Sequence, residues 1–287
     1  MAKLVDALDL KFKAARRVGS TPTPGTTMRN VPHLRTPSDR YASVAGRLIA
    51  AALWLAFTLM ADPVRAAESA NTDPADRAFK LTVGTYRFSS GGAGVDTNLR
   101  HSSDLGNIWL GQFDSPKLEL HQTRAGWDRS FGEAVRLTPS LQAASGGFAG
   151  ASLQLEAGEQ WFLGGGLGRT NLKPYWNLNF DPNDSFNLAA GYRGGDGQSL
   201  TVQYIRDNRL NPDQRHMHLV WRQSVAGRGR ITADLLYKRG MVEDALIRRW
   251  GASLTYDWPG VFLRVARDPK ANFGSDDLWR FSAGIRF

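Results

Sequence analysis

Trp279-Arg280-Phe281-Ser282-Ala283-Gly284-Ile285-Arg286-Phe287 ends the chain with an apolar residue at every odd position. The even positions are small or basic. Successive side chains of a β-strand point to opposite faces of its sheet, so this stretch presents two unlike surfaces. The same period returns upstream. In Trp250 to Trp258 one face is Trp250, Ala252, Leu254, Tyr256 and Trp258, and the other is Gly251, Ser253, Thr255 and Asp257. Ile231, Ala233, Leu235 and Tyr237 oppose Thr232 and Asp234. Val135 to Ala143, Phe186 to Tyr192 and Met217 to Trp221 alternate in the same way.

A soluble sandwich would alternate as well. Three features favour a membrane barrel. Several apolar faces end in aromatics (Trp161, Trp221, Tyr237, Trp250, Tyr256, Trp258), as in the girdles at a bilayer's two interfaces. Connections alternate in the C-terminal half. Those at 194–198, 226–228 and 259–260 are short, and those at 207–215, 239–249 and 268–277 are longer and polar. The last nine residues resemble the C-terminal assembly signal of Gram-negative outer-membrane β-barrels. That resemblance implies recognition by the barrel-assembly machinery through Trp279, Phe281, Ala283, Ile285 and Phe287, which would face lipid. In hydrocarbon every backbone group needs a partner within the protein, so the sheet must close on itself. The last strand is expected to pair with a first strand near Lys80 to Phe88.

The sequence therefore predicts an all-β fold over 79–287, a closed antiparallel transmembrane β-barrel of about 12–14 strands. Strand starts are expected near Lys80, Asn98, Lys117, Val135, Phe148, Trp161, Tyr175, Phe186, Ser199, His216, Arg230, Trp250, Val261 and Leu278. Two places stay open. Asn98 to Phe113 reads as one strand or two, and Arg169 to Phe180 as strand or loop.

Upstream of the barrel, Leu48 to Ala61 reads LIAAALWLAFTLMA, without charge, after Arg40 and Arg47 and before Val64-Arg65-Ala66. That order is the one found in a secretory signal peptide, with cleavage expected after Ala66. The apolar run is short of the roughly 20 residues that cross a bilayer. Residues 1–27 resemble the translation of a transfer-RNA gene, which implies a true start near Met28 or later. Residues 1–66 are thus read as a leader and 67–78 as a polar periplasmic linker.

Charge follows this division. Ten basic and four acidic residues fall in 1–66, leaving 26 basic against 23 acidic, a net +3, in 67–287. The basic excess of the whole chain gives little support for nucleic-acid binding. With no cysteine, disulfides and thiolate metal sites are excluded. Expected partners are outer-membrane lipid, lipopolysaccharide and the assembly machinery. No cofactor is implied.

Candidate chemistry is sparse. His101 and Ser103 share a strand face, a relation similar to that of outer-membrane lipid hydrolases, with Asp104 or Glu119 as a possible orienting acid. The extended His-x-Ser-Asn-Gly pattern is missing, because Asp104 and Leu105 follow Ser103. His216 and His218 share a face and could chelate a metal, though no third ligand stands at a telling spacing. Asp181-Pro182-Asn183-Asp184-Ser185 offers oxygen ligands but lacks the glycine and distal glutamate of a calcium loop, and reads as an ordinary turn. Gly164-Gly165-Gly166-Leu167-Gly168 is no phosphate loop, and suits curvature of a barrel strand. Arg136, Arg193, Arg222, Arg264, Arg280 and Arg286, with Asp234 and Asp257, fall on lumen-facing positions. They would either favour anions in the interior or pair with those acids and fill it. The leading functional expectation is a small channel-type or structural barrel. The alternatives are a lipid-active hydrolase using His101 and Ser103, and an envelope scaffold or export accessory.

Overall fold

The computed structural model describes residues 77–195, 197–225 and 229–287. The leader, its expected cleavage point and linker residues 67–76 lie outside them. The described chain forms fourteen strands: β1 Phe79–Phe88, β2 Ala93–Ser103, β3 Gly106–Ser115, β4 Leu120–Asp128, β5 Val135–Ala144, β6 Phe148–Ala157, β7 Trp161–Thr170, β8 Ser185–Arg193, β9 Ser199–Asp207, β10 Arg215–Val225, β11 Gly229–Val242, β12 Ala245–Asp257, β13 Val261–Asp268 and β14 Leu278–Arg286. Each pairs antiparallel with its sequence neighbour, and β14 pairs with β1 to close the barrel. The closing register runs from Lys80 opposite Arg286 to Phe88 opposite Leu278. Beyond it, Phe79 and Phe287 exchange backbone hydrogen bonds of 2.9 and 3.0 Å, which ties both ends of the barrel to one rim.

The period-two reading decides which side chains face out. Trp161, Leu163, Trp250 and Leu188 are 73, 70, 61 and 59 % exposed. Leu110, Val135, Leu141, Leu254 and Phe281 lie on the same outer surface. A soluble monomer rarely exposes a contiguous apolar patch beyond a few hundred Å². A closed barrel coated this way satisfies its backbone internally and offers its side chains to lipid. It is a membrane-spanning barrel.

The structure resolves the two places left open and differs from the expectation at two others. Asn98 to Phe113 contains parts of two strands, joined at Asp104-Leu105. Tyr175 starts no strand, because 171–184 is a loop. Lys117 lies in a 3-10 turn (Pro116–Leu118), where Pro116 has no N–H for the sheet ladder and Glu119 turns the chain at φ 49°. The expected polar loop at 239–249 is instead an extension of β11 and β12, turned by Glu243 and Asp244 at φ 48° and 65°. Both turn residues occupy the left-handed region that a two-residue hairpin needs.

Connections at the rim holding Phe79 and Phe287 are short (104–105, 158–160, 258–260), except 129–134. The opposite rim carries the long ones at 171–184, 208–214 and 269–277.

Candidate functional site in the barrel lumen

The loop at 171–184 folds into the barrel, and that determines what the lumen can do. Its even-numbered apolar residues face inward neighbours: Leu178 and Phe180 pack with Tyr86, Phe88, Phe113 and Leu278, and Trp176 packs against that cluster. Burying these side chains gives the loop a small apolar core inside an otherwise polar lumen, at about 25 cal/mol per Å² of apolar surface removed from water. Polar contacts fix its path. The Trp176 N–H donates to Gln122 Oε1 (2.9 Å), and Gln122 Nε2 donates back to the Trp176 carbonyl (3.0 Å). Asn272 Nδ2 donates to the Asn177 carbonyl (2.9 Å), and Arg280 Nη1 to the Leu178 carbonyl (3.2 Å). Gly168 is needed for the close approach of β7 to the loop, since a Cβ there would lie 2.3 Å from the Asn183 carbonyl.

Further along the loop, Asp181 meets the two inward histidines of β10. Its Oδ1 lies 2.6 Å from His216 Nδ1 and 3.2 Å from His218 Nε2. His218 Nδ1 in turn lies 3.0 Å from Asp234 Oδ1 on β11. Burial works to raise the Asp181 pKa, but hydrogen bonds and charge from both histidines outweigh it. The carboxyl is held below the usual carboxylate range. Asp184 points elsewhere, accepting from Thr170 Oγ1 at 2.5 Å and Arg209 Nη1 at 3.0 Å. The oxygen ligands of 181–185 therefore do not converge.

The loop leaves space on both sides. One cavity, of about 290 Å³, lies against β1–β4, β13 and β14 and is lined by Lys80, Arg100, Arg124, Arg264 and Arg280. Three acids on or beside this wall are already engaged. Asp96 holds Arg124 through two bonds of 2.7 and 2.9 Å, Asp128 holds Arg100 (2.5 Å), and Asp257 holds Arg286 (2.5 Å). Lys80, Arg264 and Arg280 have no carboxylate ion-pair partner among the described residues. Lys80 sits over the Phe262 ring (4.3 Å), and Arg264 donates to Thr255 Oγ1 (2.9 Å). The second cavity, of about 260 Å³, lies against β5–β9 and is lined by Ser140, Ser152, Gln154, Asn187 and Gln203.

All eight lumen positions named from the sequence lie on inward faces. They divide between the two expectations. Arg286 pairs with Asp257, and Arg136 and Arg193 share Glu156 (2.5 and 2.6 Å). Arg264 and Arg280 stay unpaired, and Arg222 lies exposed on the inner face near the rim of Phe79. Asp234 binds His218 rather than an arginine, because Val220 is its direct cross-strand neighbour and the imidazole reaches it diagonally. His216 and His218 are brought together with Asp181, a ligand-type residue that spacing alone could not supply. Lys80, Arg100 and Arg124 were not singled out from the sequence. The alternation of Lys80 and Thr82 against Leu81 and Val83 carried the signal for the first.

His101 and Ser103 lie on the outer face of β2. The His101 ring packs on Phe79 with centroids 4.6 Å apart, and Ser103 Oγ donates to the Gly106 carbonyl (3.2 Å). No hydrogen bond joins the two among the described residues, and Glu119 lies at the opposite rim. The outer odd face of β14 carries Trp279, Phe281, Ala283, Ile285 and Phe287. In the glycine run, a Cβ on Gly166 would lie 2.0 Å from Gln154 Oε1, so that glycine makes room for a lumen amide.

No known protein family matches the chain, and no curated protein is similar to it. Among solved structures it is similar to the outer membrane protein Omp33 of Acinetobacter baumannii, at 13 % identity. That match covers 74 % of this chain and 98 % of the other, with a TM-score of 0.48. KdgM porin is 12 % identical over 72 % of this chain and 99 % of its own (TM-score 0.40). NanC porin is 8 % identical over 72 % and 100 % (TM-score 0.42).

Proposed function

We propose that this barrel is a porin-like channel of a Gram-negative outer membrane that passes small anionic solutes around its inward-folded loop. One observation carries the reading. Lys80, Arg264 and Arg280 line a lumen cavity of about 290 Å³ while the neighbouring Asp96, Asp128 and Asp257 are engaged by other arginines. Unpaired cations in a narrow pore wall raise the local anion concentration and lower the barrier to anion entry. The spare positive charge sits on one wall, where a solute passing on that side of the loop meets it. Lipid, lipopolysaccharide and the assembly machinery are the partners such a barrel would have, the last through Phe287 and its odd-numbered companions.

Refolded protein in liposomes tests this by solute-driven swelling. The reading expects small anionic sugars to enter faster than neutral sugars of the same size. Equal rates would remove the selectivity, and no entry of either solute would leave the scaffold reading. The hydrolase reading is not favoured, because Ser103 Oγ donates within its own hairpin, to the Gly106 carbonyl, and no hydrogen bond joins it to His101 among the described residues.

A further inference from the structure

The inward face of β10 and the lumen loop meet at a single point with the composition of a metal site. His216 and His218 are inward neighbours two residues apart, and the loop delivers Asp181 between them. The ligand atoms of the three residues all lie within 4.8 Å of one another. We propose that Asp181, His216 and His218 bind a transition-metal ion, zinc being the best match, and that the ion clasps the loop to the barrel wall.

Four features support this. First, the donors are right. Two imidazoles and one carboxylate, with water in a fourth position, form a common open zinc set. Second, the spacing is near what ligation requires. Ligands at about 2.0–2.1 Å from a tetrahedral ion stand roughly 3.3 Å apart. The Asp181–His218 separation of 3.2 Å already fits, the Asp181–His216 separation of 2.6 Å must open by about 0.7 Å, and the separation of the two imidazole nitrogens, bounded at 4.8 Å, must close by up to about 1.5 Å. Third, His218 has the outer partner that metal-bound histidines usually have. Asp234 holds its Nδ1 at 3.0 Å, which orients the ring with Nε2 toward Asp181. His216 is oriented differently, by stacking against Phe273 with centroids 5.3 Å apart. Fourth, charge and space agree. Ligation requires both imidazoles in their neutral form and releases any proton they carry, and the two carboxylates then sum to −2, which a divalent ion balances. Lys238 adds no net charge because it is ion-paired with Asp268. A cavity of about 60 Å³ beside Asp181, His218 and Asp234 exceeds what one water ligand needs.

The consequence for the loop is direct. Its other ties to the wall are apolar packing and hydrogen bonds from neutral or singly charged groups. An ion bound to Asp181 on the loop and to both histidines on β10 adds a coordinate link across the lumen. The inference is independent of anion conduction, because the site consists of the barrel's own residues and binding is read without transport.

The test uses the full refolded barrel in detergent, stripped with a chelator. Zinc is titrated in competition with a chromophoric chelator, and cobalt is titrated in parallel for its visible absorption. The expected result is one ion per barrel with a dissociation constant in the micromolar range or tighter. Asp181→Asn and His218→Ala should each weaken binding at least tenfold. Asp234→Asn should weaken it about tenfold or more through loss of the outer partner. His121→Ala, at an exposed histidine on β4, should change nothing. If Asp181→Asn fails to show the heat-modifiable mobility of a folded barrel, His218→Gln replaces it, since that side chain keeps a donor and acceptor in place. Failure of the wild type to take up one equivalent would overturn the proposal. So would wild-type affinity in a folded Asp181→Asn or His218→Gln variant.

Discussion

The lumen wall built from β13, β14 and β1–β4 is lined by Lys80, Arg100, Arg124, Arg264, Arg280 and Arg286, set against Asp96, Asp128 and Asp257. The wall built from β5–β9 is coated by Ser140, Ser152, Gln154, Asn187 and Gln203. Both walls obey the same alternation, and both carry the same apolar outer coat. They differ only in the chemistry of the inward positions, and so in what holds them together. The basic wall is tied by charge-assisted bonds in a partly dry interior. Apart from the Arg136–Glu156–Arg193 cluster near the rim of Phe79, the amide wall is tied by hydroxyl and amide contacts that water can replace. A strand pattern thus fixes which way a side chain faces, while the choice of residue at the inward positions decides what the lumen admits.

The largest effect expected from this difference is on stability. Asp96→Asn leaves Arg124, which is almost wholly buried, without the carboxylate whose two oxygens both accept from its Nη2. Removing one member of a buried ion pair costs about 3–5 kcal/mol. Denaturant titration of barrels folded into lipid vesicles should show a loss of that size. A loss under about 1 kcal/mol would mean that the basic wall is as well solvated as the amide wall.

The shared outer coat predicts the next effect. Leu254→Arg places a charge in lipid and should cost about 2–4 kcal/mol near the midplane, whereas Ser253→Arg, one residue away and facing the lumen, should be far milder. Equal losses in the same titration would show that the facing of β12 is wrong. On the amide wall the effects should be small. Ser140→Ala removes one hydroxyl contact to Ser152 (2.7 Å) and should cost about 1 kcal/mol or less. A loss comparable to that of Asp96→Asn would erase the distinction between the walls.

Most of the fold was legible because period two is a geometric signal that needs no partner to be read. Arg280, Ser282, Gly284 and Arg286 fall inward whatever surrounds them. The strand number of fourteen lies within the expected range, and the two places left open resolve in opposite senses: no strand at Tyr175 and a hairpin at Asp104-Leu105. The first is instructive. Trp176, Leu178 and Phe180 alternate with polar residues as a strand's would, but their apolar face meets aromatics inside the lumen and not lipid. Alternation reports an apolar neighbour on one side and is silent on whether that neighbour is lipid or protein. The site was less legible for the same reason. Asp181 reads as a turn residue, and its meeting with His216 depends on where a fourteen-strand closure brings the loop. Likewise, which arginines pair with acids depends on cross-strand register, as when Arg286 reaches Asp257 while Arg264 finds only Thr255.

The central claim is that the spare positive charge of one wall sets the selectivity of the pore. The reversal potential of a planar bilayer under a potassium chloride gradient measures it. The wild type should show chloride favoured over potassium, and the Lys80→Gln, Arg264→Gln, Arg280→Gln triple variant should move that potential toward zero or past it. A wild-type potential already at zero, or one that the triple variant leaves unchanged in a barrel of normal conductance, would contradict the account.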